Sequence, residues 1–338
     1  MKAMTAILSG ILFAAAPQAM AQDAQAHVAA PVAGPVASPA PAASGFTLSG
    51  PWRTGPDLAH ARSGLSAAVL DGRIYAAGGA GLTAPRDDFE AYDRDTGRWS
   101  PRDPLPVGLE RFAMATFDGR VFVAGGYSDE GGPEPSAQVW SFDEAENAWS
   151  PEPALPGPKA SFSMVEAGGR LYALGGEDGA PGMFVFDPEA AGWSAVPAPL
   201  HTNRRGAAAI EMGGEIWLIG GAAGGAASAL VDVYDPQTET WRAGPALPQP
   251  RAGHAAAAIN GVVHVFGGRS ADLRRTLGDH LELVNGAWRE GAAMPAARTE
   301  AAAATLDGEI WLIGGGAGAG FFAPFTAVES VDVIRPAP

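Results

Sequence analysis

Six times along this chain an apolar run ends in Gly-Gly: Gly78-Gly79, Gly125-Gly126, Gly175-Gly176, Gly220-Gly221, Gly267-Gly268 and Gly314-Gly315. The steps between the pairs are 47, 50, 45, 47 and 47 residues. A period of this length marks one supersecondary unit repeated along the chain. A single copy cannot bury its own apolar face, so neighbours must stack. Such an architecture supplies a surface and does not dictate a chemistry.

One unit reads as four short strands. Ser66 to Leu70 is the first, and Asp71-Gly72 is a two-residue hairpin turn whose central positions tolerate positive φ. Arg73 to Ala77 returns to the Gly-Gly pair, Phe89 to Asp93 is a third strand, and Trp99 sits in a fourth. The turn recurs as Asp118-Gly119, Gly168-Gly169, Gly213-Gly214, Asn260-Gly261 and Asp307-Gly308, its second Gly always six residues before the pair. An aromatic stands seven residues before the Trp in four copies: Tyr92, Phe142, Phe186 and Tyr234. The fifth copy has Leu281 at that spacing, with a shortened Asn285-Gly286 turn. First strands are built from small residues, as in Ala255 to Ala258, which suits strands converging on a crowded axis. Second strands such as Ile310-Trp311-Leu312-Ile313 are apolar without alternation, so both faces are covered. A four-stranded sheet covered on both faces by its neighbours is a propeller blade.

The flanking segments and the charge bound the rest. Lys2, the apolar stretch Ile7 to Ala16 and Ala19-Met20-Ala21 predict a signal peptide over residues 1–21, cleaved after Ala21. Residues 22–45 are Ala/Pro-rich, poor in large apolar side chains, and read as a linker. Residues 46–336 are left for the propeller. No later segment is apolar for 18 residues, so no integral membrane span is expected in the mature chain. The expected compartment is the periplasm or the cell exterior. The formal charge is −15, and losing Lys2 takes it to about −16. That field disfavours nucleic acid as a partner. There is no Cys, which removes disulfides and thiolate metal sites.

The apolar run before Gly-Gly, the aromatic of the third strand and the Trp of the fourth together resemble the kelch repeat. The resemblance covers about Phe46 to Val333. It implies an all-β, six-bladed kelch β-propeller with four antiparallel strands per blade. The sixth copy ends after the strand predicted over Val328 to Ile334 without a Trp, while Pro51-Trp52-Arg53 looks like a fourth strand ahead of the first copy. The ring is therefore expected to close by an N-terminal strand in the last blade, with Trp52 beside Val331 to Val333. Closure removes the unpaired edge of an open ring.

The family commonly holds ligands on the face carrying the loops into each first strand and the loops after each Gly-Gly. The entering loops carry Arg62, Arg111, Lys159, Arg204 with Arg205, Arg251 and Arg298. Five stand ten residues before the hairpin Gly, and Arg111 is two out of register. One reading is an anion site for a sugar acid or an acidic peptide. The other is that each cation ties its loop to backbone carbonyls or to the next blade, as a residue repeated in every blade more often does. The most polar of the loops after Gly-Gly runs from Arg269 to His280 and includes Arg274 and Arg275, while Phe321, Phe322 and Phe325 stand among glycines. Those three read as a partner-binding patch or as packing over the channel mouth.

Catalytic signals are thin. The six His are scattered without metal-ligand spacing, His264 lies in a buried-strand pattern, and there is no G-x-S-x-G or P-loop. No cofactor and no metal are expected. Among kelch enzymes, galactose oxidase needs a cysteine-crosslinked tyrosine that this chain cannot make. The periplasmic N-acetylneuraminate epimerase is similar in architecture and compartment. The resemblance implies a catalytic Glu and Arg on the loop face, a pair not fixed to positions here; Glu177 and Glu300, the latter near Arg298, are acids on that face. The resulting expectation is a secreted propeller binding a protein, peptide or glycan. The alternatives are a metal-free sugar-acid epimerase or mutarotase, and a structural part of an envelope assembly.

Overall fold

At the tip of the first hairpin Asp71 and Gly72 adopt φ of 48° and 72°, the left-handed pair that a two-residue turn between twisted strands requires. The turn joins Ser66–Leu70 to Arg73–Ala77, and Phe89–Asp93 and Arg98–Pro101 complete the sheet in order. The same unit recurs in the computed structural model, which describes residues 51–130, 133–318 and 326–336. Six four-stranded antiparallel sheets result. We number them blades 1 to 6 in chain order. A 3-10 turn, Leu200–Thr202, precedes the first strand of blade 4.

The ring closes as expected. Each first strand lies against the first strands of the two flanking blades, and that of blade 6, Ala302–Leu306, returns to that of blade 1. Blade 6 takes its fourth strand, Trp52–Thr54, from the other end of the propeller, pairing Trp52 with Ile334, Arg53 with Val333 and Thr54 with Asp332. Its third strand is Val331–Ile334, shorter than the sequence predicts. Val328 instead spends its N–H on the carbonyl of Gly315 at 2.9 Å. In blade 5 the strand pairing sets Leu283 opposite Trp288, so Leu283 and not Leu281 holds the place of the third-strand aromatic. The two-residue Asn285-Gly286 turn has shortened the hairpin and moved the count.

The apolar second strands explain how blades adhere. Buried side chains gather into six clusters between neighbouring blades. Trp52 is buried in the one between blades 5 and 6, against Phe266, Met294 and Ile310.

The Gly-Gly pairs serve the same junctions. A Cβ on Gly78 would lie 2.5 Å from the carbonyl oxygen of Leu109 in the next blade, and one on Gly267 2.3 Å from that of Arg298. The second Gly of each pair then donates its N–H to that same carbonyl, at 2.7 to 2.9 Å in all six blades. Gly315 to Arg62 completes the circle. Only a residue without a Cβ, at positive φ, permits this approach.

Candidate functional site

The basic residue of the entering loop turns inward. Arg62, Lys159, Arg204, Arg251 and Arg298 are all 4% exposed or less. Each donates to the carbonyl of the first Gly of its own pair, sixteen residues on. Arg62 Nη1 reaches Gly78 at 3.1 Å, Lys159 Nζ reaches Gly175 at 2.7 Å, and Arg251 Nη1 reaches Gly267 at 3.0 Å. Arg298 Nη1 reaches Gly314 at 3.1 Å, and Arg204 Nε bonds Gly220. The four arginines also meet a carboxylate: Glu90, Asp232, Asp279 and Asp332. Burial pulls the pKa of Arg62 and of Arg298 below its ordinary value, against the pull of Glu90 and Asp332. Lys159 has no such acid among the described residues. Its ammonium lies 5.3 Å from the Phe184 ring, and burial lowers its pKa to about 8. These five side chains brace the loops and are not offered to the channel.

In blade 2 the equivalent position is Leu109, fully buried. Arg111 therefore belongs to a different circle, two residues further along each loop. Its members are Gly64, Arg111, Ser161, Gly206, Gly253 and Glu300, all with φ between 52° and 66°. Each donates its N–H to the carbonyl of the preceding blade's member at 2.7 to 2.9 Å, so six hydrogen bonds run round the channel. Left-handed backbone at a non-glycine residue costs about 1–2 kcal/mol, and here the circle enforces it at Arg111, Ser161 and Glu300.

Arg111 and Glu300 flank Gly64, and their side chains meet across it. Arg111 Nη2 stands 3.3 and 3.4 Å from the two carboxylate oxygens of Glu300, and a Cβ at residue 64 would lie 3.3 Å from Arg111 Cγ. Arg269, from the loop after the fifth Gly-Gly, donates to Glu300 Oε1 at 3.1 Å. The pKa of Arg111 is raised, chiefly by Glu300. Glu110, next door, has its carboxyl pushed up by burial, with Arg111 opposing.

These groups line a cavity of about 700 Å³ at the channel mouth, walled by the small residues of the first strands. Its charged lining is Glu110, Arg111, Arg205, Arg269 and Glu300, three cations against two acids. On a chain of charge −15 this is a local reversal of sign. At its rim Arg205 Nε faces Glu177 Oε2 at 3.8 Å. His254 also lines the cavity, and burial lowers its pKa to about 3, so it is neutral there. Arg274 and Arg275 are exposed on the loop that carries Arg269. Phe321, Phe322 and Phe325 lie outside the described residues. Sequence spacing singles out Arg111 by its break in register, but not Glu110. No periodic signal marks Glu110, and only the closed circle brings Glu300 to Arg111.

Residues 161–332 match the model of the KLHDC2/KLHL20/DRC7 kelch-repeats domain, and residues 61–106 and 110–156 match the kelch motif. Human Kelch-like protein 33 is 34% identical over 80 residues, which is 24% of this chain and 15% of that protein. Kelch-like protein 25 of Xenopus tropicalis is 25% identical over 211 residues, 60% of this chain and 36% of that one. The mouse influenza virus NS1A-binding protein homolog is 38% identical over 69 residues, 20% of this chain and 11% of its own. The matches thus span about a third or less of these relatives' length. Among solved structures, one titled "Structure of YjhT" superposes with a TM-score of 0.72 at 17% identity, covering 82% of this chain and 95% of that one.

Proposed function

This chain belongs to the kelch-repeat family of β-propellers, and we propose that it is a binding propeller that accepts an anionic group of a peptide or glycan in its channel mouth. Kelch-repeat propellers generally mediate protein interactions. The observation behind the reading is Arg111. The framework cations are buried and turned onto the carbonyls of their own Gly-Gly pairs, whereas the Arg111 side chain keeps 37% of its exposure and faces a roomy cavity. It is held there by a left-handed backbone, and strain of this kind gathers at ligand clamps. Arg111 and Arg269 share one carboxylate, Glu300, so an incoming anion can exchange for part of that pairing.

Calorimetric titration with acidic peptides, sialic acid, uronic acids and neutral sugars tests it. The expected result is binding confined to carboxylate-bearing ligands and lost in Arg111→Gly. Equal binding of neutral sugars, or binding indifferent to Arg111, overturns the reading.

A second reading, a metal-free sugar-acid epimerase or mutarotase, is favoured by Glu110. A carboxyl with a raised pKa beside an arginine in a cavity suits proton transfer at a sugar ring. Anomer exchange followed by NMR, lost in Glu110→Gln, tests that. The basic, apolar and A-x-A pattern of residues 1–21 supports action in the periplasm or outside the cell, which fractionation of a tagged chain checks.

A further inference from the structure

Blade 5 departs from the other five at three facing positions of its second and third strands. At the centre of the second strand, Val262–Phe266, stands His264, where the other blades place Tyr75, Phe122, Tyr172, Trp217 and Trp311. The third strand, His280–Val284, opens with His280, where the others place Phe89, Val139, Met183, Val231 and Val331. Two residues on is Glu282, at the place of Ala91, Ser141, Val185, Val233 and Val333. Glu282 pairs directly across from His264, so all three project from one face. Both histidines are 1% exposed. Replacing apolar groups by buried polar ones costs free energy unless each finds a partner.

Their donor atoms converge. His264 Nδ1 lies 2.9 Å from His280 Nε2, and Glu282 Oε1 lies 3.9 Å from each. A triangle with those sides has a circumradius of about 2.1 Å, the length of a Zn–N or Zn–O bond. The outer contacts fit as well. A metal-bound imidazole commonly donates its other N–H to a carbonyl, and a metal-bound carboxylate is itself hydrogen-bonded. His280 Nδ1 lies 3.3 Å from the carbonyl oxygen of Ala292. Arg289 holds Glu282 Oε2, with Nε at 2.8 Å and Nη2 at 2.7 Å, which leaves Oε1 to the histidines.

We propose that His264, His280 and Glu282 bind one divalent transition-metal ion, zinc by chemical class, inside blade 5 beside the ring closure. Two imidazoles and one carboxylate select zinc, cobalt, nickel or copper over magnesium and calcium. Glu282 retains 15% of its side-chain exposure, which gives the ion and a remaining water ligand a way in. The placement has a consequence for the fold. The carbonyl of Ala292 also accepts from Trp52 Nε1 at 3.1 Å, and the Trp52 ring stands edge-on to His280 at 6.3 Å. An ion that fixes His280 thereby steadies the contact on which the closing strand rests.

Titration of Co²⁺ into the chelator-treated full chain tests this. The expected result is saturation at one ion per chain with the visible bands of a low-coordinate site, displacement by Zn²⁺, and a higher melting temperature with Zn²⁺ than without. Glu282→Gln is expected to weaken binding by about tenfold or more. The pair His264→Tyr with His280→Val installs residues that other blades carry at these positions and is expected to abolish it. No saturable binding at one ion per chain, or binding that survives the paired substitution, overturns the proposal. If the paired variant does not fold, long-range ¹H–¹⁵N spectra of the unsubstituted chain decide. Zinc must shift two imidazoles; no shift, or a shift at exposed histidines alone, overturns it.

Discussion

Lys159 makes the framework of this propeller titratable. Its ammonium is buried, donates to Gly175 O at 2.7 Å and faces Phe184, which stands where Glu90, Asp232 and Asp332 neutralise the arginines of other blades. Burial brings its pKa from 10.5 to about 8. At about 1.36 kcal/mol per pH unit, keeping it charged in the folded state costs roughly 3 kcal/mol at neutral pH. The folded pKa lies below the unfolded one, so between about pH 8 and 10.5 the unfolded chain holds more protons and stability rises with pH. Below pH 8 the penalty is constant. Lys159→Leu copies Leu109 of blade 2, which occupies the equivalent position fully buried. It removes the titration and leaves other groups as they were. Urea unfolding of both proteins at pH 7, 8, 9 and 10 gives the comparison. The stability of the variant relative to the native chain is expected to fall by about 2.5 kcal/mol from pH 7 to pH 10. The lost hydrogen bond to Gly175 contributes a pH-independent offset of about 1 kcal/mol. Parallel pH profiles would refute the reasoning, because they would mean that Lys159 reaches solvent or an acid.

Three further outcomes follow from the same geometry. Arg251→Leu strands Asp279 and the carbonyl of Gly267, and is expected to cost about 3 kcal/mol or more in urea unfolding. Trp52→Ala empties the junction of blades 5 and 6 and is expected to cost about 3–5 kcal/mol, with early loss of protection in the strand Val331–Ile334 by hydrogen exchange. Arg111→Gly relieves a left-handed residue, so its melting temperature is expected to hold or rise while binding of carboxylate ligands falls.

The fold was legible because repetition multiplies a weak signal. One Asp-Gly turn or one Gly-Gly pair means little alone, but six in register leave few architectures. Ring closure was legible from a deficit at one end matched by a surplus at the other, Trp52 for the Trp that the last copy lacks. The mouth was less so. Whether a basic residue in every loop faces ligand or framework depends on side-chain direction, and spacing does not encode that. The carboxylate partners were in view as Glu90, Asp232, Asp279 and Asp332, yet they stand 28 to 34 residues away and reach the arginines only through strand pairing. The histidines of blade 5 show the same limit. His264 and His280 are 16 residues apart, and only the hairpin between their strands makes them neighbours. The available signal was a departure from the repeat: two histidines and an acid where other copies carry aromatic, aliphatic or small residues.

Departure from the repeat also separates what the propeller can vary from what it cannot. The carbonyl of each framework residue receives an N–H from the preceding blade's Gly-Gly pair, and in five blades the side chain grips the residue's own pair. Turning such a side chain toward a ligand would take its donor from the buried carbonyl of its own pair. Two residues later the constraint is backbone alone: a left-handed φ and one hydrogen bond to each neighbouring blade. Glycine satisfies it at three positions and leaves the channel open there. A longer residue satisfies it at a cost of about 1–2 kcal/mol and gains a side chain aimed at the channel. Blades 2 and 6 accept that cost with opposite charges, and the Gly64 between them leaves the two room to meet. On the binding role proposed above, selectivity would therefore rest on which of the six positions depart from glycine, and on the loops after the Gly-Gly pairs, such as that of Arg269.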